Sequence, residues 1–450
     1  MAMSPLVALE FEQTETLMRI PITRRAGFAA LAATLGLAVS MTSARSEPIE
    51  LIVQYAQPQI FDGVFEALKE EFETRNPDVT VTFRGAQNNY GDNVQALLRD
   101  AVVGDMPHVN YLGLSYLPTV ADRGLAVDLK PLMEKDGETF EENGWTESLQ
   151  SVGRFDGRQL ALPFAISMSL TYYNADLVRQ VGGDPDNMPT DWDGIIELAG
   201  KINDLGPDYA GMYLPYSASW YGAWYFQGAL FSNGGEMMQP GADKVSIADD
   251  PTWQTAMGLY DRMAKQGGMM AVSDQAQRQQ FIAGRMGFVI DSISRLYNFE
   301  QSIGDRFDFR TSPHPMGVEG GRLPTGGNVA MITTAAEEDP ALLDAAWRWV
   351  KFSTGPFGTT QVIKLVGYTP VNTLALEDPD LLEGYFDSRP NHRTAVDQIA
   401  VVRDWFQFPG ENGLKIDTVI GEHLEGVVDD SMTPEEALTS LEDEINRLLP

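Results

Sequence analysis

The stretch that most constrains the fold is residues 161–192, ALPFAISMSLTYYNADLVRQVGGDPDNMPTDW. Its first half is apolar and alternates. Leu160, Leu162 and Phe164 fall on one parity, and Met168, Leu170 and Tyr172 follow. A period of two over this length is a strand pattern, and Pro163 predicts a kink within it. The second half changes period. Asn174 is a helix N-cap, residues 175–181 have helical spacing, and Gly182-Gly183 ends the helix. After a loop with two prolines, Thr190 or Asp191 caps a further helix that opens with Trp192.

Upstream, residues 49–55 read as a buried strand and 62–75 as an amphipathic helix with Val64, Phe65, Leu68 and Phe72 on its apolar stripe. A second strand over 79–83, a helix over 93–103 and a third strand over 109–114 follow. Strand, helix, strand, helix, strand at this spacing predicts a parallel sheet with helices on its faces. The 450 residues are long for one core and predict two lobes. Further on, the reading gives a helix over 117–125, a turn over 124–129 into a short strand and a hairpin turn at Phe155-Asp156-Gly157-Arg158-Gln159. Helices are expected over 190–205, 253–266, 275–285 and 340–352, and strands over 307–316 and 329–333.

Residues 1–44 read as a signal peptide. Thr23-Arg24-Arg25 precedes a run of small and apolar residues over 29–39 that is too short to span a membrane, and Thr42-Ser43-Ala44 supplies small residues for cleavage near Arg45. The paired arginines look like a twin-arginine signal, with a Sec signal as the alternative. Glu10, Glu12 and Glu15 suit neither kind of basic region, so Met18 is the expected start. The chain has no cysteine, which removes thiol catalysis, thiolate metal sites, disulfides and a lipid-anchored cysteine. Its net charge of −32 repels nucleic acid and anionic membrane surfaces. The mature protein is therefore expected to be exported, soluble and unanchored.

The pattern PF-x-x-S-x-x-x-x-YYN-x-D-L from Pro163, followed by P-x-x-W from Pro189, resembles the crossover segment of extracellular solute-binding protein family 1 of ABC importers. N-P-D-V-x-V at 76–81, G-D-x-P-x-V at 104–109 and F-x-x-G-x-x-G at 281–287 extend the similarity over essentially all of the mature chain, nearest the glycerol-3-phosphate-binding branch. The resemblance implies an α/β fold of the periplasmic-binding-protein type II class, with two discontinuous lobes around a ligand cleft. It implies crossovers near 164, 326 and 353, so that 45–164 with 327–353 form lobe 1 and 165–326 with 354–450 form lobe 2. It also implies a periplasmic monomer that hands a small solute to a membrane permease, with no cofactor and no metal.

Site residues follow from the same resemblance. Tyr90, Gly327 and Asn328 are expected on the first-lobe wall, Trp220, Ser292 and Tyr368 on the second, and Ser167 at the hinge. Sugars and polyols present C–H faces that pack on aromatic rings and hydroxyls that need amide and hydroxyl partners. The cluster Ser219-Trp220-Tyr221-Gly222-Ala223-Trp224-Tyr225-Phe226 offers such rings, with Trp220 read as cleft and Trp224 and Phe226 as core. Two departures bear on the ligand. The phosphate-binding relatives carry an arginine where residues 408–416 offer only Lys415, and a glutamate where this chain reads Asn110-Tyr111-Leu112. Both point to a neutral sugar, polyol or glycosyl-glycerol. Arg295, Arg154 or Arg158 as an anion clamp would keep glycerol 3-phosphate or a glycerophosphodiester open.

Enzyme readings find little. Histidines 108, 314, 392 and 423 lack metal-site spacing, and neither a G-x-S-x-G elbow nor a G-x-x-x-x-G-K-[ST] loop is present. An exported glycoside hydrolase stays as the competing class, since 64 acidic residues guarantee accidental carboxylate pairs.

Overall fold

Residues 48–410 and 412–450 are described by the computed structural model, so the signal-peptide reading of 1–44 lies outside the described residues. Strand β1 (Ile49–Gln54) leads through the helix Pro58–Arg75 to β2 (Val79–Phe83), and the helix Tyr90–Val103 leads to β3 (Val109–Gly113). β1 runs parallel to both neighbours, as the alternation of strands and helices requires. The first helix starts four residues earlier than its apolar stripe suggests because Pro58 opens it, and it buries Phe61 as well as Val64, Phe65, Leu68 and Phe72. The second begins at Tyr90, where the Asn89 side chain accepts from the Asp92 amide at 2.9 Å. Of the helix expected over 117–125 the α-helical part is Leu117–Ala121, and where the turn over 124–129 should lead into a strand there is a single bridge between Ala126 and Thr333. The hairpin of β4 (Arg154–Phe155) and β5 (Arg158–Gln159) turns through Asp156 and Gly157, both at positive φ, 48° and 74°.

The crossover is two strands rather than one kinked strand. β6 (Leu162–Ser167) and β7 (Ser169–Asn174) are buried along their whole length and belong to different sheets, with Met168 alone between them. Pro163 does mark an irregularity, since the register of β6 shifts opposite Asn328 and Val329. Both strands are nonetheless covered on both faces, and the change of sheet falls later than the proline, at Met168.

β7 enters a second sheet with β8 (Ala210–Tyr213), β9 (Met286–Ser292) and β10 (Phe309–Ser312), in the order β10-β7-β9-β8. β11 (Leu323–Pro324) then precedes β12 (Gly326–Ile332), which returns to the first sheet between β3 and β6, antiparallel to both. The first sheet therefore reads β2-β1-β3-β12-β6. β13 (Val402–Arg403) pairs with β11. The N-caps at Asn174 and Asp191 form as expected, the latter accepting from the Gly194 amide at 2.8 Å.

Each sheet has its own apolar core. Phe61, Phe65, Phe72, Tyr111, Phe164 and Trp349 fill the first, and Trp224, Phe226, Trp253, Tyr260 and Phe288 lie in the second. One expected boundary needs correction. The helix Pro356–Val366 packs on Pro58–Arg75, and Val362 and Tyr368 sit in the first core, so the segment after 353 stays with the first sheet. The chain rejoins the second sheet at the helix Pro390–Asp397, which packs on β10 and whose Asn391 accepts from the Thr311 amide at 3.1 Å. An amphipathic helix fits either sheet by pattern alone, and the ring of Phe61, 5.8 Å from that of Tyr368, decides the matter.

Candidate functional site

The strand ends of β6, β9 and β12 meet at the seam between the two sheets, and most of the expected residues meet there too. Ser167 ends β6 and Ser292 ends β9, and their hydroxyl oxygens are 2.5 Å apart. Ser292 is also 2.9 Å from the Ser294 hydroxyl, and its carbonyl accepts from the Tyr172 hydroxyl at 2.8 Å. Gly326 pairs with Ser167, and a Cβ there would stand 3.6 Å from the Trp224 ring. Trp224 is buried and donates its indole N–H to the Thr325 carbonyl at 3.2 Å, so it walls the crossing rather than facing solvent. Gly327 has φ 109°, and a Cβ there would lie 1.8 Å from the Ala165 carbonyl oxygen. Only glycine fits that position.

On the first-sheet side, the Asn328 amide donates to the Tyr90 hydroxyl at 3.0 Å, while Asn328 Oδ1 is buried with no partner. Gly113 is set by this ring, since a Cβ there would be 2.7 Å from Tyr90 Cβ. Burial, with Tyr368 nearby, pushes the Tyr90 phenol well up, so it stays a neutral hydroxyl. Burial likewise pushes Tyr368 up to about 12, with Arg295 opposing. Tyr368 thus stands with Tyr90 on the first side and not, as expected, on the second wall.

On the second-sheet side the fully buried Asp291 organises the site. It accepts from the hydroxyls of Tyr221 at 2.7 Å and Tyr225 at 2.5 Å and from Arg278 Nε at 2.7 Å. Against the effect of burial, Arg278 and Arg295 hold its carboxyl below the usual range. One carboxylate therefore faces two guanidinium groups. Arg278 is engaged by Asp291 and by the Tyr221 hydroxyl at 2.8 Å, whereas Arg295 Nε is buried with no partner. Of the three expected clamp candidates, Arg154 is held by Glu147 at 2.5 Å and Arg158 lies in the β4–β5 hairpin, so Arg295 alone reaches this site.

Trp220 opens the helix Trp220–Ser232, whose cap Ser219 accepts from the Tyr221 amide at 3.2 Å. It is 50% exposed, with its ring 5.4 Å from Tyr221 and 5.7 Å from Trp405. Trp224, one turn on, and Phe226 are core, as read from the sequence. Asn110 does not reach the site. It accepts from Asn93 at 2.9 Å, which in turn accepts from Gln54 at 2.9 Å, all three buried. Lys415 is exposed on the helix Gly413–Val428.

Sequence reasoning missed Asp291, Arg278, Tyr221 and Trp405. A signal existed for the first, because a charge inside the buried run MGFVIDS must find a buried partner. Arg278 and Tyr221 are 13 and 70 residues away from it, and although Tyr221 lies in the aromatic cluster, nothing local ties either of them to Asp291. Among the described residues no group of three or more histidines or carboxylates is placed to hold a metal ion.

The model of the family described as bacterial extracellular solute-binding protein matches residues 67–385. The sn-glycerol-3-phosphate-binding periplasmic protein UgpB of Salmonella typhimurium is 24% identical over 406 residues, 85% of this chain and 89% of that one. Among solved structures, UgpB from Mycobacterium tuberculosis in complex with glycerophosphocholine superposes with a TM-score of 0.73 at 23% identity, over 90% of this chain and 98% of that one. The cyclic alpha-maltosyl-1,6-maltose binding protein from Arthrobacter globiformis gives 0.74 at 23% identity, over 89% and 99%. The two-sheet α/β architecture is the type II periplasmic-binding-protein fold of these neighbours.

Proposed function

The chain belongs to the family of bacterial extracellular solute-binding proteins, whose members bind small solutes and deliver them to the permease of an ABC importer rather than catalyse a reaction, and from that premise we propose that its solute is a sugar, polyol or glycerol-derived compound held at the seam of the two sheets. The observation that carries this reading is the pairing of Tyr90 with Asn328 and of Ser167 with Ser292, with the half-exposed Trp220 packed on Tyr221, which bonds to Asp291 next to Ser292. Hydroxyls and amides match a polyhydroxylated ligand, and the indole face matches its C–H surface. The backbone and side chain of Gly327 and Asn328, with Tyr368, complete the first wall, and Trp220 and Ser292 the second.

One observation favours a second reading. Arg295, whose Nε is buried without a partner, stands with Arg278 near the fully buried Asp291, and a guanidinium suits a phosphate or phosphodiester. The ligands in the names of the relatives, glycerol 3-phosphate and glycerophosphocholine on one hand and an oligosaccharide on the other, span both readings.

The proposed cycle has the solute bind one lobe and draw the other over it by rotation at β6, β12 and the segment after Tyr368, the hinge motion known for periplasmic binding proteins. Lobe 1 would comprise residues 45–164 and 327 to about 372, and lobe 2 the remainder. The protein would act in the periplasm as an unanchored monomer after removal of residues 1–44, a location that the periplasmic relatives support. No helix among the described residues is long and apolar enough to cross a membrane.

A calorimetric and thermal-shift screen of sugars, polyols, glycosyl-glycerols, glycerol 3-phosphate and glycerophosphocholine tests the ligand class. A ligand at ~100 times its dissociation constant raises stability by roughly 2.7 kcal/mol. Binding of phosphorylated compounds alone selects the second reading, and cleavage of an oligosaccharide on incubation would replace both with a hydrolase.

A further inference from the structure

The helix Tyr90–Val103 carries Tyr90 at its first position and, one turn later, a fully buried asparagine. Val94 and Leu97 on its buried face pack among apolar side chains, whereas Asn93 meets two other amides. Gln54 ends β1, Asn110 stands opposite it on β3, and both are fully buried as well. Asn93 Oδ1 accepts from Gln54 Nε2 at 2.9 Å and from Asn110 Nδ2 at 3.4 Å. Its Nδ2 donates to Asn110 Oδ1 at 2.9 Å and to the Tyr111 carbonyl at 3.0 Å. The side chain thus uses its whole capacity as donor and acceptor.

Filling space does not call for amides here. Leucine and methionine side chains would occupy the same volume, and replacing a whole hydrogen-bonded set by apolar groups of its shape costs little. The amide set also leaves Gln54 Oε1 buried without a partner. What amides add is direction. Apolar contact is non-directional, so a helix held by it alone can turn or slide on its sheet. Bonds from Asn93 to both β1 and β3 fix the first turn of the helix against either movement. At the far end of the helix, Asp100 is tied to Arg84 at 2.8 Å.

The surroundings of Tyr90 leave little room for such movement. Its side chain lies against Gly113, where a Cβ would stand 2.7 Å from Tyr90 Cβ, and Gly113 pairs with Asn328, the partner of the Tyr90 hydroxyl. Side-chain tips stand ~5–6 Å from a helix axis, so a rotation of about 10° moves one by ~1 Å. Groups that bind a ligand have to be held within about 0.5 Å. We propose that Asn93, with Gln54 and Asn110, is a positioning residue that fixes the rotation of the helix Tyr90–Val103 and so holds the Tyr90 hydroxyl in place for the solute. The inference rests on Tyr90 as a solute contact and adds how the first lobe keeps it there.

The test replaces the amides together, by Gln54→Met, Asn93→Leu and Asn110→Leu, so that none of them is left without its partners. Tyr90 is followed by carbon-13 NMR of Cζ-labelled tyrosine, its signal assigned by its loss in Tyr90→Phe. The wild type should give one narrow Tyr90 signal, and the triple variant a shifted or broadened one at a nearly unchanged thermal midpoint. Gln54→Met alone should move the signal the same way by less, and it carries the test should the triple variant not fold. Calorimetric titration with glycerol 3-phosphate, glycerophosphocholine and maltose reads the consequence for binding. For a compound that the wild type binds, the triple variant and Tyr90→Phe should each lose about tenfold in affinity, and their combination no more than the larger single loss. Losses that multiply, a triple variant with wild-type affinity, or an unmoved Tyr90 signal overturns the proposal. Tyr90→Phe with wild-type affinity removes Tyr90 as a solute contact and the proposal with it. If none of the three compounds binds, the proposed ligand class fails instead, and the Tyr90 signal alone decides the positioning.

Discussion

Asp417 is only 2% exposed in the helix Gly413–Val428, and Asp417→Asn has a consequence for stability that needs no ligand. Burial pushes the Asp417 carboxyl from 3.8 up to about 7, with the Gln407 amide opposing. Between those values the folded protein binds more protons than the unfolded chain, so stability falls as pH rises through the window. Below about pH 4 the group is protonated in both states and contributes nothing. Above pH 7 the full penalty is present, and a displacement from 3.8 to about 7 corresponds to about 4 kcal/mol at roughly 1.36 kcal/mol per tenfold change in proton affinity. Asparagine keeps the shape and cannot ionise. Its amide adds a constant offset, so the quantity to follow is the difference between variant and wild type as a function of pH. Urea-unfolding midpoints at pH 4, 5, 6, 7 and 8 should show that difference growing in favour of the variant by up to about 4 kcal/mol. A difference that is flat with pH, or that favours the wild type increasingly toward pH 8, would refute the placement of a buried carboxyl at 417.

Gly327→Ala should lose about 3 kcal/mol or more, since its Cβ would meet the Ala165 carbonyl oxygen at 1.8 Å with φ at 109°; an unchanged thermal midpoint would contradict this. Trp220→Ala should weaken solute binding by roughly 2 kcal/mol or more, because it removes the ring that dries the site, and wild-type affinity would count against the cleft assignment. Asn328→Ala should cost less, about 0.5–1.5 kcal/mol for one hydrogen bond, measured by the same titration. Replacing Arg24-Arg25 by Lys-Lys should abolish twin-arginine export, and unchanged periplasmic yield would identify a Sec signal instead. Small-angle scattering should show a smaller radius of gyration at saturation with solute, and no change would refute lobe closure.

Local sequence determined a good deal. The strands and helices of residues 49–113, the caps at Asn174 and Asp191, and the core identity of Trp224 and Phe226 all follow from periodicity, cap chemistry and apolar runs, which act within a few residues. The crossover was visible as an alternating apolar run carrying a family motif, which is why it could be located, though not which residue changes sheets. Tertiary structure decided what depends on partners distant in the chain. The helix Pro356–Val366 has an apolar face that either lobe could cover, and only its packing on Pro58–Arg75 assigned it and carried Tyr368 to the first wall. The polar centre of the site is of the same kind. Asp291 takes its charge state from Arg278 and Arg295 and its geometry from Tyr221 and Tyr225, which lie on a helix some seventy residues back. Electrostatic and hydrogen-bond energies depend on distance in space and not in sequence, so a linear reading finds a charged residue in a buried strand but leaves its partners to the fold.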